Sequence, residues 1–206
     1  MRKKIAILTL FATAASPLAA QPARKEGDVA KQRAAIEAWT TCIADENRDS
    51  VAKTLARDFR SRDYRGEMTR LAKTRVSRRC FAAMPGDYRR IELGGLPFAG
   101  GLAERLMEQD AAPLAARLQR ASAGRTTATF APSDALAQCV VRAAPRQVAD
   151  LFESAINSAE ETRALGALAP TARGCTSGPR AVEASPLGMR SMLATAAFRL
   201  LAAQAD

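Results

Sequence analysis

The sequence predicts an all-α fold made of two related helical units, about four helices each, with one internal disulfide per unit. Three observations lead there. Apolar residues recur at three-, four- and seven-residue steps along most of the chain, and β-branched runs alternating with period two are missing. The four cysteines, Cys42, Cys80, Cys139 and Cys175, fall into two pairs of nearly equal internal spacing, 38 and 36 residues.

In the first unit, Asp28 is placed to cap a helix carrying Val29, Ile36, Trp39 and Ile43 on one side. Val51, Leu55 and Phe59 form the stripe of a short second helix. Met68, Ala72, Val76 and Cys80 mark a third, and Phe98, Leu102 and Leu106 a fourth, entered through Gly94-Gly95-Leu96-Pro97. The paired glycines Gly94-Gly95 and Gly100-Gly101 read as a turn feeding that helix, because the Lys-Ser/Thr and strand context of a phosphate-binding loop is lacking. Leu114 and Leu118 suggest a short connecting helix, and residues 121–131 a linker. In the second unit, Ser133 or Asp134 can cap a helix carrying Leu136, Cys139 and Val140. Pro145 suits the first turn of the next, with Val148, Leu151 and Phe152 inward. Ser158 with Glu161 reads as a capping box ahead of Leu165 and Leu168, and Ser185-Pro186 opens a last helix striped by Met189, Leu193, Ala196 and Leu200.

The two cysteine pairs sit in matching surroundings. Trp39 and Leu136 each precede the first cysteine of a pair by three residues. Val51-Ala52 and Val148-Ala149 each follow it by nine, and Leu71-Ala72 matches Leu168-Ala169 farther on. This reads as two diverged copies of one unit, residues 21–120 and 132–206. Four cysteines allow three pairings, and if the copies fold alike the bonds are Cys42–Cys80 and Cys139–Cys175. Each is worth about 4 kcal/mol on the chain-entropy account, welcome in units this small.

Residues 1–20 have the form of a signal peptide. Arg2, Lys3 and Lys4 precede the apolar run from Ile5 to Ala15, and small residues through Ala20 suit cleavage there. Losing those three cations would take the formal charge from +10 to +7. No later stretch approaches the apolar length of a membrane span. Export into an oxidising periplasmic or extracellular space agrees with disulfides rather than reactive thiols.

The 206 residues include no histidine, which removes His-based triads, His general bases and His metal ligands. Cys-x-x-Cys, Gly-x-Ser-x-Gly and calcium-loop motifs are also missing. Glu104 and Glu108, one turn apart, lack any such loop around them. Glu153 in Phe152-Glu153-Ser154 superficially matches the Glu-Ser step of lytic transglycosylases, but the glycine-rich element of that family is absent downstream. No catalytic residue, metal site or cofactor is expected. The most unusual feature is basic: Arg57, Arg60, Arg62, Arg65, Arg70, Lys73, Arg75, Arg78 and Arg79 stand against only Asp58, Asp63 and Glu67, with Phe59 and Tyr64 interleaved and Tyr88-Arg89-Arg90 following. Guanidinium groups bind phosphates bidentately, so Arg60, Arg62, Arg65, Arg70, Lys73, Arg75, Arg78 and Arg79 are candidate anion-binding residues. A solvated face with local Arg–carboxylate pairs explains the same run without a ligand.

Cys139-Val140-Val141-Arg142, Pro145 with Val148-Ala149, Glu160-Glu161, Leu168-Ala169-Pro170 and Cys175, then a helix ending Phe198-Arg199-Leu200, together resemble exported proteins of alphaproteobacteria, sphingomonad-like in wording. The likeness covers mainly residues 133–201. That family has no known activity, so the resemblance implies export and carries over no functional residue. The expectation is a non-catalytic exported protein with a binding or structural role in the cell envelope, its partner a protein or an anionic polymer. The alternatives are an electrostatic binder using residues 57–79 and a peptidoglycan hydrolase using Glu153.

Overall fold

In the computed structural model, which describes residues 27–73, 78–82, 95–176 and 184–205, every regular element among the described residues is an α-helix. In chain order these are α1 (Val29–Glu46), α2 (Arg48–Leu55), α3 (Arg62–Leu71), α4 (Arg78–Ala82), α5 (Leu96–Glu108), α6 (Leu114–Ala123), α7 (Pro132–Ala143), α8 (Pro145–Glu153), α9 (Ala159–Gly174) and α10 (Pro186–Ala205). No described helix is long and apolar enough to cross a membrane. The expected signal segment 1–20, Gly94, and the basic residues Arg75, Arg89 and Arg90 lie outside the described residues, as does Val76.

Local chemistry starts several helices where the sequence placed them. The Asp28 carboxylate accepts the Ala30 and Lys31 N–H groups at 2.9 and 3.2 Å, satisfying donors that the first turn leaves unpaired. Ser61 and Ser158, as far apart in sequence as Cys42 and Cys139, cap α3 and α9 through the N–H groups of Tyr64 and Glu161. Pro145 and Pro186 each occupy the first helical position, where a missing N–H costs nothing. Both disulfides pair as expected: Cys42–Cys80 joins α1 to α4, and Cys139–Cys175 joins α7 to the end of α9. Their Cα separations of 5.3 and 5.7 Å are ordinary for the bond.

Other expectations are corrected. Helix α2 stops at Leu55, so Phe59 lies in the connection to α3, where its ring meets Phe130 edge-on. The stripe from Met68 to Cys80 is not one helix; α3 ends at Leu71, and Cys80 belongs to the separate turn α4. The residues at 121–123 are the last turn of α6 rather than linker. Neither Ser133 nor Asp134 caps α7, which begins at Pro132. Asp134 instead reaches back to the Phe130 N–H at 2.9 Å and across to Arg199.

The glycine pair in α5 also has a different use. Gly95 takes the turn position, with φ of 74°, but Gly100 and Gly101 lie inside the helix, where α5 is packed between α1 and α10. A Cβ on Gly100 would stand 2.6 Å from Ser191 Cβ and 2.7 Å from its Cα, and one on Gly101 would stand 2.4 Å from Thr40 Oγ1. Two bare positions therefore let two helices approach the same segment from different sides. This close approach to Ser191 is where α5 of the first half meets α10 of the second. Around this contact Ile43, Val51, Leu102, Leu118, Val140, Leu151, Leu193 and Leu200, all fully buried or nearly so, belong to one continuous apolar core drawn from both halves.

The packing makes opposite expectations for alanine at different glycines. Gly100→Ala is expected to lower stability by about 1–3 kcal/mol through overpacking against the α10 backbone. Gly66→Ala and Gly166→Ala, in α3 and α9 with nothing within 4 Å of the new methyl, are expected to raise it by about 0.4–1 kcal/mol. Urea denaturation of the three variants measures both signs.

Candidate functional site

Helices α2, α3, α5, α7 and α10 converge on a cavity of about 760 Å³, within the size range of small-molecule pockets. Its inner wall is apolar. Leu55 at the end of α2, Phe98 and Ala99 in the first turns of α5, and Met192 on α10 are buried, and half-buried Phe59, Tyr64, Met68 and Ala72 continue the surface outward. The helical period places these groups: Met192, Thr195 and Arg199 lie on one face of α10, and Tyr64, Met68 and Ala72 on one face of the α3 segment. Desolvation pushes the Tyr64 phenol up to about 12, so it stays neutral. Phe98 stacks at 4.9 Å, tilted, against Trp39, the one tryptophan of the chain.

One end of the cavity is held by a paired charge. Arg199 donates to both Asp134 oxygens at 2.8 and 2.9 Å and to the Ala128 carbonyl, and lies over the Phe130 ring at 4.5 Å. Both ions are largely buried, so the pair fixes α10 to α7 and leaves no net charge there. The mouth is different. Arg57, Arg65 and Lys73 line it and are exposed; among the described residues none has a carboxylate within salt-bridge reach, while Arg65 donates to the Arg60 carbonyl at 2.8 Å.

The basic segment is thereby divided. Arg60 pairs with Asp58 at 3.1 Å, Arg70 with Glu67 at 2.5 Å, and Arg79 with Glu46 at 2.5 Å, while Arg62 and Arg78 are exposed and do not line the cavity. Hydrogen bonds from Arg70 and Ser50 hold the Glu67 carboxyl down to about 2. Of the candidate anion-binding residues that are described, only Arg65 and Lys73 line the cavity, joined by Arg57.

A second cluster lies between α1, α5, α9 and α10. Arg33 grips Glu161 through two bonds of 2.5 and 2.9 Å, and Arg190 bonds Glu161 at 3.2 Å while binding Glu104 at 2.7 to 3.1 Å. Asn157, in the left-handed region at φ 59°, adds its N–H to Glu161 at 2.9 Å. Burial pushes Glu161 up, but the hydrogen bonds from Arg33 and Asn157 and the two cationic charges outweigh it and leave the group below its ordinary value. Burial also acts on Glu104, and there it prevails over Arg190, raising the group. Glu37, facing the same cleft of about 90 Å³, is raised chiefly by desolvation. The carboxylates at the heart of this cluster are committed to guanidinium partners, and the cleft is too small for a polymer chain.

Glu153 is exposed at the last position of α8 and lines neither cavity. The ligand atoms of Cys42, Cys80 and Glu46 lie within 4.8 Å of one another, but both sulfurs are in the disulfide and Glu46 holds Arg79.

No protein-family model, curated protein or solved structure matches the chain. The site must therefore be read from its own chemistry. Sequence reasoning found its rim, through the cationic run, and missed its floor. The cue present was a second stripe on α10, Met192, Thr195 and Arg199, beside the one made by Met189, Leu193, Ala196 and Leu200. No local pattern tells that α3, the start of α5 and this stripe meet.

The ionic cluster gives a stability prediction. Arg190→Met is expected to cost about 3–5 kcal/mol at pH 7, because Glu104 is left buried and unpaired. Glu104 is already raised and rises further without Arg190, so its protonation relieves the penalty as the pH falls and restores it as the pH rises. Urea melts of the variant and the parent at pH 7 and pH 5 should show the difference narrowing at the lower pH.

Proposed function

We propose that this chain is an exported, non-catalytic binding protein of the cell envelope, and that the cavity between α2, α3, α5 and α10 receives an acyl-chain-sized apolar ligand. The observation that carries this reading is the cavity itself, about 760 Å³ with Leu55, Phe98, Ala99 and Met192 as an apolar inner wall. Burying an alkyl chain yields about 0.8 kcal/mol per methylene, so such a wall supplies affinity without a dedicated polar network. Two disulfides and the form of residues 1–20 support export. The recurring order of helices, caps and cysteines in the two halves supports descent from one duplicated unit. A non-catalytic role is supported by the absence of histidine and by the engagement of Glu104 and Glu161 in ion pairs.

Trp39 touches Phe98 on the cavity wall, so its fluorescence reports occupancy. Titration of the disulfide-bonded protein with monododecanoylglycerol is expected to give a saturable change. Met68→Asp and Leu96→Asp, at half-buried and exposed lining positions, should abolish it while leaving the melting temperature near that of the parent. Absence of saturable binding by the parent contradicts the reading.

A further inference from the structure

We infer that the ligand is a single-chain amphiphile with an anionic head, a phosphate or carboxylate, seated at the mouth of the cavity against Arg57, Arg65 and Lys73. This rests on the acyl-binding reading above and adds the head group to it. The argument is one of charge against depth. Going inward from solvent, the lining passes from Arg57, Arg65 and Lys73, all exposed, through half-buried Met68 to buried Leu55 and Phe98. That order is the mirror of an anionic amphiphile, whose head stays at the water boundary while its chain is desolvated.

The charges at the mouth are available, unlike Arg60, Arg70 and Arg79, and unlike exposed Arg62 and Arg78 they line the cavity. Arg60, Arg70 and Arg79 are held by Asp58, Glu67 and Glu46, whereas the three mouth cations have no carboxylate in reach among the described residues. Among the described residues the acid that lines the cavity, Asp134, is neutralised by Arg199 at the buried end and so does not repel an anion or attract a cation. Guanidinium presents a planar fork that matches phosphate or carboxylate oxygens, and Lys adds a mobile point charge. A long anionic polymer would also meet cations here, but it would leave the apolar wall unused. Along the surface it would meet exposed Arg62 and Arg78, while Arg60, Arg70 and Arg79 are already paired.

The test compares dodecyl phosphate with monododecanoylglycerol, both below their micellar concentrations, by Trp39 fluorescence and calorimetry on the disulfide-bonded full chain. The anionic probe is expected to bind at least about tenfold more tightly at low salt, the advantage shrinking as salt screens it. Arg57→Gln, Arg65→Gln and Lys73→Gln together should erase that advantage, the two probes then binding alike. Equal binding of the two probes by the parent overturns the head-group inference while the acyl-binding reading stands. Binding of neither overturns both. Inorganic phosphate binding as tightly as dodecyl phosphate, or polyphosphate binding that survives Met68→Asp, would assign the cations to a free anion or a surface polymer and likewise overturn the inference.

Discussion

The close contact of α5 with α10, permitted by the missing side chain at Gly100, is the constraint on which the rest of the molecule depends. With α5 drawn against Ser191 on one side and, through Gly101, against Thr40 on the other, the helix becomes the shared wall of both halves. Leu102 and Leu193 can then be fully buried in one core. Each half alone is close to the size at which a core is marginal, so the shared wall and the disulfides address the same shortage of buried apolar area by different means.

Two further features follow from that placement. The approach of α10 carries Arg190 to Glu104 and Glu161, giving an ionic cluster that links α1, α5, α9 and α10. Burial makes such a cluster unforgiving of a lost partner more than it makes it a source of net stability. At the same contact, the start of α5 and the Met192 face of α10 open toward α3, and the space left between them is the cavity. The site is thus a consequence of how the halves meet rather than a property of either.

The legible part of the fold was local. Caps at Asp28 and Ser158, first-turn prolines at Pro145 and Pro186, and the apolar stripes of α1, α8 and α10 follow from short-range rules, and the near-equal cysteine spacings gave the pairing. What was not legible depended on distant partners. Phe59 reads as the next turn of α2, but Phe130 supplies it a better contact outside the helix. Asp134 has the composition of a cap, yet Arg199 claims it from sixty-five residues away. Gly100-Gly101 resembles a turn because glycine in mid-helix is unfavourable locally, and only the packing of α1 and α10 shows why it is tolerated. The same holds for the cavity, whose cationic rim lies in one segment and whose inner wall is drawn from three helices.

The most direct measurement of a shared core is equilibrium unfolding in urea, with the disulfides intact, followed by two local probes. Trp39 fluorescence reports the first half, and the methyl signals of Val140 and Leu151 report the second. A core common to both halves requires coincident transitions with one midpoint. Loss of the native Trp39 signal at urea concentrations where the Val140 and Leu151 methyls remain native would show two independent units and contradict the account.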